Sequence, residues 1–160
     1  MRDDPDDNPW FVQFTGQWNV GTFAIGFSAR YAGVCRSLVT REKDPGRRKE
    51  LSQMAANLER TPWEPPKTFW EAVQATVMYQ LLLYMDARYP ALAFGRFDQY
   101  TWPYLKADLE AGRVTTEEAR EIVDAFLLKV NCFYRAAPPF LNEIVGVGNT
   151  YQHTTIGGVD

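Results

Sequence analysis

Pro65-Pro66-Lys67-Thr68-Phe69-Trp70-Glu71-Ala72-Val73-Gln74 is the stretch whose reading decides the fold. The two prolines hold the chain extended and keep the residue before each of them out of helix. Thr68 and Glu71 then stand three apart, the spacing at which each side chain can bond the other's backbone N–H and open a helix. Val73, Val77, Met78, Leu81, Leu82 and Leu83 carry that helix to about Met85. They are apolar nearly all round, which predicts a buried helix. Just upstream, Thr61-Pro62-Trp63-Glu64 extends the stiff connector.

Toward the N-terminus, Phe23, Phe27, Tyr31, Val34 and Leu38 recur at spacings of three and four between Trp18 and about Val39. That pattern predicts one apolar helical face. Asp44-Pro45-Gly46 breaks the helix, and a shorter one follows with Leu51, Met54, Ala55 and Leu58 on one side. Residues 1–17 read as an irregular lead-in and residues 18–160 as a single partial domain.

Toward the C-terminus, residues 86–96 form a loop or short strand ending in Phe94-Gly95-Arg96. A helix is expected from about Gln99 to Glu110, with Pro103 in its first turn and Gly112 just past its end. Thr115 and Glu118 repeat the capping pattern, and Ile122, Val123, Phe126, Leu127 and Val130 give the next helix its apolar stripe. Gly146 to Thr150 reads as a turn, and Thr154 to Val159 as a glycine-bearing strand. A strand needs partners for its backbone groups, and no preceding segment offers an evident one. The fold class is therefore mainly α with a short terminal β-strand, and the rest of the sheet is expected in further polypeptide.

Composition narrows the function classes. Apolar residues make up 46% and charged residues 23%, which fits a globular chain and argues against disorder. Aromatics at 14% imply large buried surfaces, or an interface covered by further polypeptide. Net charge is -3, and Arg47-Arg48-Lys49, the one basic run, lies on the polar side of a helix, so nucleic acid is not an expected partner. No apolar run reaches the roughly 20 residues of a membrane span. The start, Met1 to Pro9, is acidic and lacks a secretion signature. Cys35 and Cys132 are far apart without metal-site spacing, which fits a reducing cytoplasm.

No self-sufficient catalytic constellation emerges. His153 is the single histidine, with no nucleophile signature around the candidate partners and no ligand carboxylates at helical spacing. Gly146-Val147-Gly148 lacks the third glycine and following helix of a phosphate loop. Glu71 and Asp86 are 15 residues apart on one helix, about 22 Å at 1.5 Å per residue, too far for paired acid–base work. Cys35 and Cys132 read as small buried hydrophobes.

Four segments in order resemble the pyruvate formate-lyase-type domain of glycyl radical enzymes, in its non-formate-lyase branch. They are Pro65 to Gln74; Gly95-Arg96-Phe97-Asp98-Gln99-Tyr100 with Pro103-Tyr104 and Asp108-Leu109; Thr115 to Asn131, through Glu118-Ala119, Glu121 to Asp124, Lys129 and Asn131; and Thr155-Ile156-Gly157-Gly158-Val159. The resemblance covers residues from about 25 to 160.

What it implies is a fragment of a catalytic subunit whose fold is a ten-stranded α/β barrel ringed by helices. Its chemistry would run through a backbone glycyl radical, installed by a radical S-adenosylmethionine activating enzyme, and a cysteine thiyl radical that takes hydrogen from a small-molecule substrate. Neither radical position matches this chain: in Gly112-Arg113-Val114-Thr115-Thr116, Thr116 stands where the radical glycine belongs, and Cys35 and Cys132 do not match the thiyl site. No bound cofactor and no catalytic residue is therefore expected within these residues. The expected partners are the remainder of the subunit, the activating enzyme and a second subunit in a homodimer.

The resemblance puts Pro90 and Ala91 at the substrate-pocket wall, where polar-substrate relatives carry His-Ser. An apolar wall suits a substrate with an apolar part, as in fumarate-adding synthases or arylacetate decarboxylases. Gly95, Arg96 and Asp98 read as a structural motif holding this loop to the next helix. The competing expectation is a stand-alone, non-enzymatic helical interaction module or a degenerate paralogue.

Overall fold

A computed structural model describes residues 26–61, 64–87, 93–132 and 154–157. The chain divides into two compact units, Met1–Glu64 and Pro65–Asp160. The lead-in 1–17, the helix expected from Trp18 to residue 25, and the turn from Gly146 to Thr150 lie outside the described residues.

The first unit holds two helices, α1 over residues 26–39 and α2 over Pro45–Arg60. Asp44-Pro45-Gly46 opens α2 as well as separating it from α1. Asp44 is the N-cap, its carboxylate accepting from the Arg47 N–H at 2.6 Å, and Pro45 takes a first-turn position where its missing N–H costs nothing. Arg36 of α1 grips Glu59 of α2 through two bonds of 2.7 and 2.5 Å.

The apolar stripe expected on α1 is corrected by the structure. Tyr31, Val34 and Leu38 are 43%, 51% and 44% exposed, whereas Ser28, Ala32 and Cys35 form the buried line. Small side chains let a helix surface pack closely, and a count of apolar spacing ranks them below the larger residues that face outward. On α2 the expected Leu51, Ala55 and Leu58 are buried, and Asn57 and Thr61 join them. Thr61 offsets its burial by donating both its N–H and its hydroxyl to the Asn57 carbonyl, at 2.7 and 2.8 Å, which closes α2.

The second unit comprises α3 (Phe69–Ala87), β1 (Gly95–Arg96), α4 (Phe97–Glu110), α5 (Thr116–Asn131) and β2 (Thr154–Thr155). Both expected capping boxes are present. At α3, Glu71 accepts from the Lys67 and Thr68 N–H groups at 2.6 and 3.3 Å, and Thr68 Oγ1 accepts from the Glu71 N–H at 3.2 Å. At α5, Thr115 and Glu118 exchange the equivalent bonds at 2.8 and 3.2 Å.

α3 packs on both α4 and α5. Phe69, Val73, Phe94, Phe97, Ala119 and Phe126 form the core of this unit. Phe126 stacks on Phe97 at 4.3 Å and meets Phe94 edge-on at 5.0 Å. Each such pair adds about 0.5–1.5 kcal/mol beyond the burial itself. α3 is not buried on every side, since Tyr79 and Leu83 are exposed, and Leu127 of the predicted α5 stripe is exposed too. Among the described residues its two helical neighbours, α4 and α5, cover part of its circumference only.

α4 starts two residues earlier than the spacing implies, which moves Pro103 from the first turn into the helix interior. Its end follows the expected glycine. Gly112 has φ +64°, its N–H bonds the Leu109 carbonyl, and the Arg113 N–H bonds the Asp108 carbonyl at 2.9 Å. Those two bonds define a Schellman closure.

The strand reading needs a second correction. β2 has a mate within the chain: it pairs in parallel with β1, Gly95 against Thr154 and Arg96 against Thr155. A parallel pair needs a long crossover rather than a hairpin, so the partner lies far away in sequence and leaves no local signal. Within the described residues the strand stops at Thr155, short of the expected Val159.

Asp108 ties three segments together. Its carboxylate accepts from the Phe69 N–H at the start of α3 (2.7 Å) and from Arg113 Nε (2.7 Å), while its side chain is 4% exposed. Removing it strands a buried helix-terminal N–H. We expect Asp108→Ala to lower stability by about 2–3 kcal/mol in urea unfolding, and Asp108→Asn, which keeps an acceptor, by less. A loss below about 0.5 kcal/mol for Asp108→Ala, typical of a surface site, would contradict this role.

Candidate functional site

The segment Phe94-Gly95-Arg96-Phe97-Asp98 is the junction to which the candidate residues converge. Phe94 and Phe97 bracket the two residues of β1, and both rings lie on Phe126 of α5. Gly95 adopts φ +66°, a left-handed conformation that a side chain resists, so glycine is what allows the chain to enter the strand from this direction. From there the backbone turns directly into α4, with Arg96 at the N-cap position and no side-chain cap bond.

Asp98, in the first turn of α4, reaches across to β2. Its Oδ2 accepts from the Gly157 N–H at 2.7 Å, a contact spanning 59 positions in sequence. Arg96 Nε lies 3.6 Å from Asp98 Oδ1, an ion pair longer than a hydrogen bond. Both of these atoms are buried and have no hydrogen-bond partner among the described residues. The Gly157 N–H, chiefly, and the Arg96 charge hold the Asp98 carboxyl below its ordinary pKa against the opposing effect of desolvation. The junction thus joins β1, the start of α4 and the exit of β2.

The sequence candidates fall differently around it. Gly95, Arg96 and Asp98 are brought together at the junction. Pro90 and Ala91 lie outside the described residues, as does His153; the described chain resumes at Ala93, beside the Phe94 anchor. Glu71 is engaged in the α3 cap. Cys35 is buried, which pushes its thiol pKa up. Cys132 is exposed at the C-cap of α5 rather than buried, because the stripe of that helix passes through Phe126 and leaves its last turn open. Thr115 and Thr116 serve as N-cap and first residue of α5, so the Gly112–Thr116 string is a helix-to-helix turn. Among the described residues no group of three His, Cys, Asp or Glu side chains could hold a metal, and no helix is long and apolar enough to cross a membrane.

The structural roles of two residues, Gly157 at the junction and Asp108 near the end of α4, escape a reading of the sequence. Gly157 presents itself there as part of a strand, without a link to Asp98. Asp108 carries a usable signal: Phe97, Thr101 and Asp108 fall on the buried side of α4, so an acid stands where apolar or satisfied polar groups belong.

The sequence pattern of the pyruvate formate lyase-like family matches residues 14–160. This chain belongs to that family. Within the pyruvate formate lyase-like family it is 34% identical over 137 residues to indoleacetate decarboxylase of Tractidigestivibacter scatoligenes, covering 86% of this chain and 15% of that protein. Its fold is similar to that of a structure concerned with 1,2-propanediol dehydration in Roseburia inulinivorans, with TM-score 0.79 and 30% identity over 84% of this chain and 16% of the other. A glycyl radical enzyme from Archaeoglobus fulgidus is similar at TM-score 0.77 and 36% identity, covering 86% of this chain and 18% of that one. The family relatives are glycyl radical enzymes, namely dehydratases, decarboxylases and lyases, and the described helices and strand pair are part of their barrel architecture. The chain spans about 15% of the length of the relatives it matches.

The Asp98 contact makes a pH prediction. A carboxyl whose folded pKa is depressed contributes stability above its unfolded pKa of about 3.9 and loses it as pH falls through the folded value. The Gly157 amide should therefore keep its bonded chemical shift from pH 6 down to below about 3.9, then titrate away; in Asp98→Asn it should not titrate. A midpoint at or above the ordinary aspartate value would contradict the contact.

Proposed function

We propose that this chain forms part of the catalytic subunit of a glycyl radical enzyme, supplying helices and a portion of the substrate-pocket wall while the radical-bearing glycine and cysteine belong to further polypeptide. In this reading the glycyl radical, installed by a radical S-adenosylmethionine activating enzyme, supplies the one-electron chemistry through a cysteine thiyl that takes a hydrogen atom from the substrate. The observation that carries the reading is the family match across residues 14–160 together with relatives about six times longer. By itself the chain is inactive. The assembled subunit works in the cytoplasm and forms a homodimer.

Pro90 and Ala91 form the apolar part of the pocket wall, and the substrate is a small organic molecule with an apolar portion. The similarity to an indoleacetate decarboxylase supports this choice, since that substrate name denotes an aromatic ring beside a carboxylate. Decarboxylation of an arylacetate and addition to fumarate are the two reaction types that such a wall suits. Gly95, Arg96 and Asp98 anchor the chain just after the wall residues, because the described fold resumes at Ala93 beside the bracketed strand β1.

The test is kinetic. In the full-length activated enzyme, Ala91→Phe should lower kcat/KM for the best substrate by about tenfold or more and shift the preference toward smaller substrates, with an unchanged melting temperature. The 160-residue chain alone should give no turnover. Unchanged kinetics across several substrates would remove positions 90 and 91 from the pocket. Turnover by the isolated chain would overturn the division between wall and radical centres.

A further inference from the structure

The strand pair β1–β2 has two unlike sides. On one side lie the helices: Phe94 is buried on Phe126 of α5, Arg96 stands beside Asp98 of α4, and Asp98 takes the Gly157 N–H. On the other side the described residues leave room. Ala93 and Gly95 are exposed, and a side chain on Gly95 would meet no described atom within 4 Å beyond its chain neighbours. Ile156, just past β2, is 69% exposed. The parallel register puts half-buried Thr154 beside Gly95, and Thr155 beside Arg96. Paired residues of neighbouring strands share a face, and successive residues of a strand take opposite faces. Thr154 therefore stands on the open side with Gly95, and Thr155 on the helix side with Arg96.

The fold says what the open side is. Parallel strands are covered on both faces, and in a barrel ringed by helices the face turned away from those helices is the interior. The strand pair belongs to such a barrel, so the side away from α4 and α5 is the barrel interior. An interior of this kind is either filled by side chains or holds a small ligand. Ala93 and Gly95 contribute one methyl group between them, too little to fill it. Thr154 adds a hydroxyl, a hydrogen-bond donor on an otherwise small and apolar surface.

We propose that the substrate-pocket wall continues onto this open side, where Ala93 and Gly95 make room for the apolar part of the substrate and the Thr154 hydroxyl donates a hydrogen bond to its carboxylate. The inference rests on the reading that puts Pro90 and Ala91 at the pocket. Ala93 follows Ala91 by two positions, so β1 carries the wall into the described fold. A carboxylate is the polar end that arylacetates and fumarate share. Thr154 is thus a specificity-determining residue supplied by the second strand of the pair, 59 positions from its neighbour Gly95.

Kinetics of the full-length activated enzyme test it, with Ala91→Phe measured alongside. Ala93→Leu should lower kcat/KM for the best substrate by about tenfold or more and spare smaller substrates, at an unchanged melting temperature. Thr154→Val keeps the side chain's shape and removes the donor; it should lower kcat/KM by about tenfold, mostly through KM, and Thr154→Ser should recover most of that loss. Thr155→Val, on the helix side, should stay within about twofold of wild type. Unchanged kinetics in Ala93→Leu and Thr154→Val beside an altered Ala91→Phe overturn the proposal and leave the wall reading standing. The reverse pattern supports this face and removes positions 90 and 91 from the pocket, and silence in all three variants overturns both. If Ala93→Leu lowers the melting temperature, Thr154→Val decides alone. Equal losses in Thr154→Val and Thr155→Val also overturn the proposal, because strand integrity and not one face is then at work.

Discussion

The ring of Phe126 is the contact on which the second unit depends. Two phenylalanines, separated by a glycine and an arginine, both lie on it, so the two residues of β1 are held on either side by one aromatic side chain of α5. β1 is too short to fix itself: a two-residue strand carries few backbone bonds and no packed face of its own. Its position is set by its flanks. Everything that pairs with β1 inherits that position, first β2 through the parallel register and then Gly157 through Asp98.

Around this hydrophobic fixture, the polar groups meet structural requirements. Helix starts leave N–H groups unsatisfied, and three of the five starts have named side-chain acceptors: Asp44 for α2, Thr68, Glu71 and Asp108 for α3, Thr115 and Glu118 for α5. Acids occupied in this way cannot serve as acid–base catalysts without breaking the fold. These acids serve the fold, in a chain that spans about 15% of the length of the family relatives it matches.

Much of this is legible in the sequence where the physics is local. Thr68 with Glu71, and Thr115 with Glu118, announce helix starts because a capping box involves four consecutive residues, and Gly112 announces a helix end for a similar reason. The differences share another origin. Hydrophobicity ranks the outward-facing Tyr31, Val34 and Leu38 first, whereas close packing selects the buried Ser28, Ala32 and Cys35 by size. The mate of β2 lies 59 positions upstream and has two residues, too few to show any alternation. Gly95, Arg96 and Asp98 stand out in the sequence as a group of positions, but only the fold supplies Gly157 as the far end of their contact. Pro90 and Ala91 come from resemblance alone, since nothing in their local chemistry marks a pocket.

The most direct measurement is the exchange rate of the Gly157 amide in Phe126→Leu, a variant that keeps the core filled while removing two aromatic contacts. Losing those contacts weakens the anchor by about 1–3 kcal/mol, so Gly157 exchange should quicken by about fivefold or more, while amides of α2, in the other unit, keep their wild-type rates. An unchanged Gly157 rate, with α3 or α5 loosened instead, would show that the strand pair holds its place without the phenylalanine bracket.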